Sequence, residues 1–203
     1  MLDCGAISHH NKGKPGRTEG LRLKTDAEEG QAAFIEPVNE IAKERVYITG
    51  NHEDWLNDLV DESPSLDGIV DLSSVLDLKG WTIIPQGGMF NLGKLTFVHG
   101  DTISGGEHVA KAAVINYERS IRFGHFHTYQ VYTKTSPIDY KNAKTGVAIP
   151  CLCTKTPKYG EGKPNKWIQG FNYGYVDDKG GFSDYVVVIV DGKCTVNGRL
   201  YKG

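Results

Sequence analysis

Long apolar runs are missing from this chain. The longest strongly apolar stretch, Tyr185 to Val190, falls far short of the roughly 20 residues a membrane span needs, so no membrane partner is expected. Charge of one sign is missing too. Lys plus Arg is 23 and Asp plus Glu is 25, giving a net charge of −2, which excludes the global basic field of a bulk nucleic-acid binder. Cysteine is scarce: Cys4, Cys151, Cys153 and Cys194 lack the paired spacing of a zinc ribbon. A chain of 203 residues also needs no disulfides to complete its core, so reduced thiols in a cytoplasmic protein are expected. Cys151-Leu-Cys153 reads as two side chains on one face of a strand rather than as metal ligands. Met1 to Lys14 has no apolar h-region, and no signal peptide is expected. Repeats and low-complexity segments are likewise missing.

What is there is globular. Hydrophobic residues at 39% and charged residues at 24% exclude a disordered chain, and the length suits a single domain over residues 1–203. Residues 5–24 are polar, glycine-rich and basic, and read as a loop. Thr25 and Glu28 form a possible capping box before a helical pattern through Ala33, Phe34, Val38, Ile41 and Ala42, which Pro37 should kink or split. Val46–Thr49 reads as a strand, and Trp55, Leu56, Leu59 and Val60 as the apolar face of a helix. Trp81–Ile84 and Leu95–Val98 read as strands around a glycine-rich hairpin region. Ser104 and Glu107 suggest a second capping box, opening a helix with Ala110, Ala113, Val114, Tyr117 and Ile121 on one face. The last third reads as strands over 128–133, 147–153, 168–176, 184–191 and 194–201, with a turn at Asp191-Gly192. Early strands alternate with helices and late strands pair, which predicts an α/β layered sandwich.

Three segments at strand exits carry chemistry, and strand exits are where α/β proteins place their site loops. Gly50-Asn51-His52-Glu53 offers a neutral oxygen ligand and an imidazole acid or base, or else a helix N-terminus with Asn51 as cap. His99-Gly100-Asp101 offers one imidazole, though a lone histidine at a strand end is more often structural. Gly124-His125-Phe126-His127 offers two, which point the same way if the segment is extended. Two basic segments are further candidates for contact with a substrate phosphate or a single-stranded nucleic acid, or are simply solvated loops. One is Ser8-His9-His10 with Lys12, Lys14 and Arg17. The other is Lys155, Lys158, Lys163 and Lys166 interleaved with Tyr159 and Trp167.

In this order the three segments resemble a calcineurin-like metallophosphoesterase of the phage or bacterial kind. That family's pattern runs Asp-x-His, Gly-Asp-x-x-Asp, Gly-Asn-His-Glu/Asp, His, Gly-His-x-His. Gly50–Glu53 matches the third block, His99 the fourth and Gly124–His127 the fifth. The resemblance implies a four-layer fold, a β-sandwich flanked by helices, and a dinuclear centre of two divalent ions. Mn²⁺ comes first, and Fe, Ni²⁺, Co²⁺ or Zn²⁺ also fits the N/O donors. By the resemblance, Asn51, His99 and His125 bind the second ion and His127 the first. His52 is then a non-ligand general acid, and Asp3 a carboxylate that orients it. The implied function is hydrolysis of phosphate esters, as a phosphodiesterase or nuclease acting on nucleic acid or nucleotides in a bacterial or phage-infected cell. A phosphomonoesterase for small phosphates and a non-catalytic scaffold of the same fold are the alternatives.

The sequence departs from the pattern at its start. No Asp-x-His is present, and Met1-Leu2-Asp3 fits only the end of the second block. The expectation is that the first strand, its loop and the Gly-Asp pair are missing, through a start read too late, a truncation or a real loss. Cys4-Gly5 stands where the serine/threonine phosphatase branch has Arg-Gly, which argues against a protein phosphatase.

Overall fold

A computed structural model describes residues 5–8, 22–155 and 164–203. The chain is mixed α/β with several sheets and divides into two compact units, Met1–Gln86 and Gly87–Gly203.

In the first unit, helix α1 (Leu23–Gly30) runs through a π-helical turn, Gln31–Ile35, into α2 (Glu36–Ile41). The helix begins two residues before Thr25, with no side-chain cap on Arg22, so the expected capping box is not its start. Pro37 neither splits the helix nor ends it. The turn before it widens, Glu36 N–H bonding back to the Gln31 carbonyl, which is how a helix accommodates a residue without an N–H. Strand β1 (Val46–Ile48) pairs in parallel with β2 (Thr82–Ile84). Between them lie α3 (Asn51–Glu62) and the short α4 (Leu72–Leu76). The helices bury Ala27, Ile35, Trp55, Leu56, Leu76 and Leu78 in one cluster with Tyr47 of β1.

The second unit is built on a five-stranded sheet of order β3-β4-β5-β7-β6. Its strands are β3 (Phe90–Leu92), β4 (Leu95–Val98), β5 (Ser120–Phe123), β6 (Gln130–Lys134) and β7 (Lys144–Ala148). β4, β5 and β7 are mutually parallel, while β3 and β6 run antiparallel at the edges. The hairpin partner of β4 is therefore β3, not the Trp81–Ile84 segment. Ile121 is fully buried on β5 rather than on a helix. Helix α5 (Val109–Tyr117) starts after a 3₁₀ turn at Gly106–His108, without Ser104 as cap, and ends at Glu118 in the left-handed conformation. It packs on the sheet through Val109, Ala113 and Val114. Gly146 of β7 lets it come close, since a Cβ there would strike the Ala110 carbonyl oxygen. The hairpins β8–β9 (Gln169–Val176, Phe182–Ile189) and β10–β11 (Lys193–Val196, Arg199–Lys202) complete the unit.

Arg122 fixes the middle of this unit. It is the largest fully buried side chain among the described residues, and all its donors are used. Nε and Nη2 bind the two carboxylate oxygens of Asp184 on β9 at 2.6 and 2.7 Å. Nη1 bonds the carbonyls of Ile121 and Thr145, and Nη2 also meets Thr145 Oγ1. Burial alone would raise the Asp184 carboxyl, but the Arg122 hydrogen bonds and charge, helped by Asn172, hold it below the usual carboxylate range. Among the described residues, no helix is long and apolar enough to cross a membrane.

Candidate metal centre

Two parallel arrangements position the candidate side chains. In the first unit the chain leaves β1 at Thr49 and Gly50 caps α3. Glu53 is the reason this exit becomes a helix start. Its buried carboxylate accepts the Gly50 N–H at 2.9 Å and the Tyr47 hydroxyl at 2.9 Å, tying the first turn back to the strand. Gly50, not Asn51, is the cap, and Asn51 and His52 are the first two helical residues. The His52 ring stacks on Trp55 with centroids 4.4 Å apart. Its Nδ1 is buried with no hydrogen-bond partner among the described residues. A cleft of about 360 Å³ opens beside this turn, lined by Thr49, Glu53, Asp54, Asn57 and Ile83 among others. Neither Asn51 nor His52 is part of that lining.

In the second unit, β4, β5 and β7 point their carboxyl ends the same way, and every further candidate residue follows one of those ends. His99 follows β4, and its carbonyl accepts the Gly124 N–H at 2.8 Å, joining the two exits. His125 Nδ1 lies 3.3 Å from His99 Nε2, with the rings edge to face. The Gly-His-Phe-His segment is not extended, and this corrects the geometry expected from alternation. Phe126 N–H bonds the Gly124 carbonyl at 2.7 Å, a γ-turn centred on His125. Both histidines have positive φ, 62° at His125 and 56° at His127. The two rings consequently serve different neighbours. His125 meets His99, while His127 packs edge-on against Trp167 with centroids 4.2 Å apart.

The neighbours of His127 also include the two cysteines whose spacing suggests a shared strand face. The donor atoms of His127, Cys151 and Cys153 all lie within 4.8 Å of one another. Cys151 makes only an isolated bridge with Gln169, and Cys153 lies in a bend beyond it. The shared-strand-face reading therefore fails: β7 ends at Ala148, before either residue. A signal was available, since Cys151-x-Cys153 repeats the i, i+2 spacing of His125 and His127 at the next parallel strand exit. Cys151 is pulled down to about 7, first by a hydrogen bond from the Cys153 thiol, against the opposing effect of burial, with help from backbone N–H groups and the Lys155 charge.

Of the other candidates, Asp3, His9, His10, Lys12, Lys14, Arg17, Lys158, Tyr159 and Lys163 lie outside the described residues. Lys166 is exposed and paired with Glu107, and Trp167 packs on His127 rather than standing as a free stacking platform. Set against family models, curated proteins and solved structures, the chain matches none.

Proposed function

We propose that the protein is a metal-dependent phosphoesterase with the four-layer architecture of the calcineurin-like family, acting on phosphodiesters. The observation that carries this reading is the pairing of His99 and His125 at neighbouring parallel strand exits. Their ring nitrogens are 3.3 Å apart. Two nitrogens on one divalent ion at bonds of about 2.1 Å stand roughly 3.0–3.4 Å apart, so the pair fits an ion with little movement. His99 and His125 hold that ion in this reading, and His127 belongs to a second position. When bound, such ions supply positive charge for the phosphoryl oxygens and lower the pKa of water. His52 gives a proton to the leaving oxygen, its ring plane held by the stack on Trp55. In this reading the protein works in the cytoplasm, where thiols stay reduced.

The test is turnover of bis(p-nitrophenyl) phosphate and p-nitrophenyl phosphate by the full chain with Mn²⁺ in excess. Mn²⁺-dependent cleavage of the diester is expected. His99→Ala and His125→Ala should each lower it by about 100-fold or more. Preference for the monoester would make the protein a phosphomonoesterase. No Mn²⁺-dependent turnover of either ester would leave a scaffold and overturn the proposal.

A further inference from the structure

We propose that His127, Cys151 and Cys153 bind one Zn²⁺ ion, at a site distinct in donor chemistry from the His99–His125 pair. The inference stands whether or not the chain hydrolyses phosphate esters. β5 and β7 are neighbouring parallel strands, so the loop after one and the segment after the other meet at one edge of the sheet. That topology brings an imidazole and two thiols together from positions 24 and 26 residues apart in sequence.

The donors are held before any ion arrives, and one short segment does the holding. Ile168 N–H bonds the His127 carbonyl at 2.8 Å. The Ile168 carbonyl accepts Cys151 N–H at 3.0 Å, and Gly170 N–H bonds the Cys151 carbonyl at 2.9 Å. Gln169 Nε2 donates to the Cys153 carbonyl at 3.0 Å. Trp167 braces the His127 ring. Each ligand is thus fixed through its backbone or ring by residues 167–170, the kind of supporting shell a metal site needs. A tetrahedral Zn²⁺ with Zn–S near 2.3 Å and Zn–N near 2.0 Å separates its donors by about 3.5–3.8 Å. Donors already within 4.8 Å of one another lie close to that spacing.

One imidazole and two thiolates make a soft donor set. It selects Zn²⁺ over Mn²⁺ or Mg²⁺, which favour oxygen. Binding replaces two S–H bonds with two Zn–S bonds and releases the protons to solvent. Two thiolates balance the ion's charge, and three protein ligands leave the fourth position open for water or a substrate atom. The bound ion would tie the β5 exit loop to the segment after β7.

The full chain, kept reduced, should be titrated with Co²⁺ as a spectroscopic probe and with Zn²⁺ against a chromophoric chelator. One equivalent of Co²⁺ should give a thiolate-to-cobalt charge-transfer band in the near ultraviolet, and Zn²⁺ should abolish it. Cys151→Ser and Cys153→Ser should each weaken Zn²⁺ binding by at least about tenfold, and together remove the band. His127→Ala should weaken binding without removing sulfur character. His99→Ala should leave the band intact, which separates this site from the ion position of the His99–His125 pair. Zn²⁺ should raise the melting temperature of the parent chain but not of the double serine variant. Should that variant misfold, protection of both thiols from alkylation by Zn²⁺ in the parent chain decides the matter. Absence of a band, a band that survives the double serine variant, or one lost only with Cys4→Ser would overturn the proposal.

Discussion

The exits of β1 and of β5 are made from similar words, Gly-Asn-His-Glu and Gly-His-Phe-His, yet they fold differently. After β1 the backbone enters a helix at once, because Glu53 at the third helical position reaches back to Gly50 and to Tyr47 on the strand. After β5 no acidic residue follows, and the chain turns through two histidines at positive φ. Each exit is anchored by a buried polar contact on its strand: a neutral hydroxyl on a carboxylate at β1, a guanidinium on a carboxylate at β5. A glycine and a histidine after a strand thus announce that something will be presented. The residue three positions beyond the glycine decides whether a helix turn or a bend presents it.

The largest effect should come from unpicking the β5 anchor. Arg122→Ala leaves Asp184 without its partner in a site where the carboxylate is 11% exposed, and should destabilise the chain by about 3–5 kcal/mol in urea unfolding. Asp184→Asn probes the same bond through pH. The carboxyl lies below its ordinary value in the folded state, so its contribution is complete above the unfolded value of about 3.9 and is lost as pH falls through the folded one. The stability gap between parent and Asp184→Asn should be flat above about pH 5 and shrink below pH 4. A gap that widens in acid would show that Asp184 is not held ionised by Arg122.

The β1 anchor should matter less. Glu53→Ala strands the Tyr47 hydroxyl and the Gly50 N–H, and should cost about 1–3 kcal/mol, with fraying confined to the first turn of α3 by hydrogen exchange. Smaller still is a reversal of sign between the two exits. At His125, Gly should be more stable than Ala by about 1 kcal/mol, because φ is positive there. At His52, inside a helix turn, Ala should be more stable than Gly by about 0.5–1 kcal/mol. The same order at both positions would erase the distinction. Last, Glu107→Gln breaks a fully exposed ion pair with Lys166 and should leave the melting temperature unchanged.

These contrasts also mark what the sequence could reveal. β1, β4 and the β8–β9 hairpin are legible as apolar runs bounded by glycine and charge, and α3 from the spacing of Trp55 and Leu56. β5 is not, because Ser120-Ile-Arg-Phe carries a charge at its centre. Only the non-local partner Asp184 makes that arginine a core residue, so by spacing Ile121 continues the preceding helical period. The short β3 is hidden for a similar reason, its Asn91 being satisfied by Thr96 across the hairpin. At the site, the approach of His99 to His125 depends on β4 and β5 being parallel neighbours, which the sequence does not announce. The γ-turn is hidden too, since nothing in a non-glycine residue announces a positive φ. The thiols beside His127 depend on the adjacency of β5 and β7, a fact of topology rather than of spacing.

The five hydrogen bonds of Arg122 have a further consequence, for how the second unit exchanges with solvent. A single side chain grips β5 through its own backbone, β7 through Thr145 and β9 through Asp184, while Phe182 lies 5.3 Å from its guanidinium carbon. No one of these strands can open a local window without first breaking bonds to the other two. Their amides should therefore lose protection together, in a single slow event.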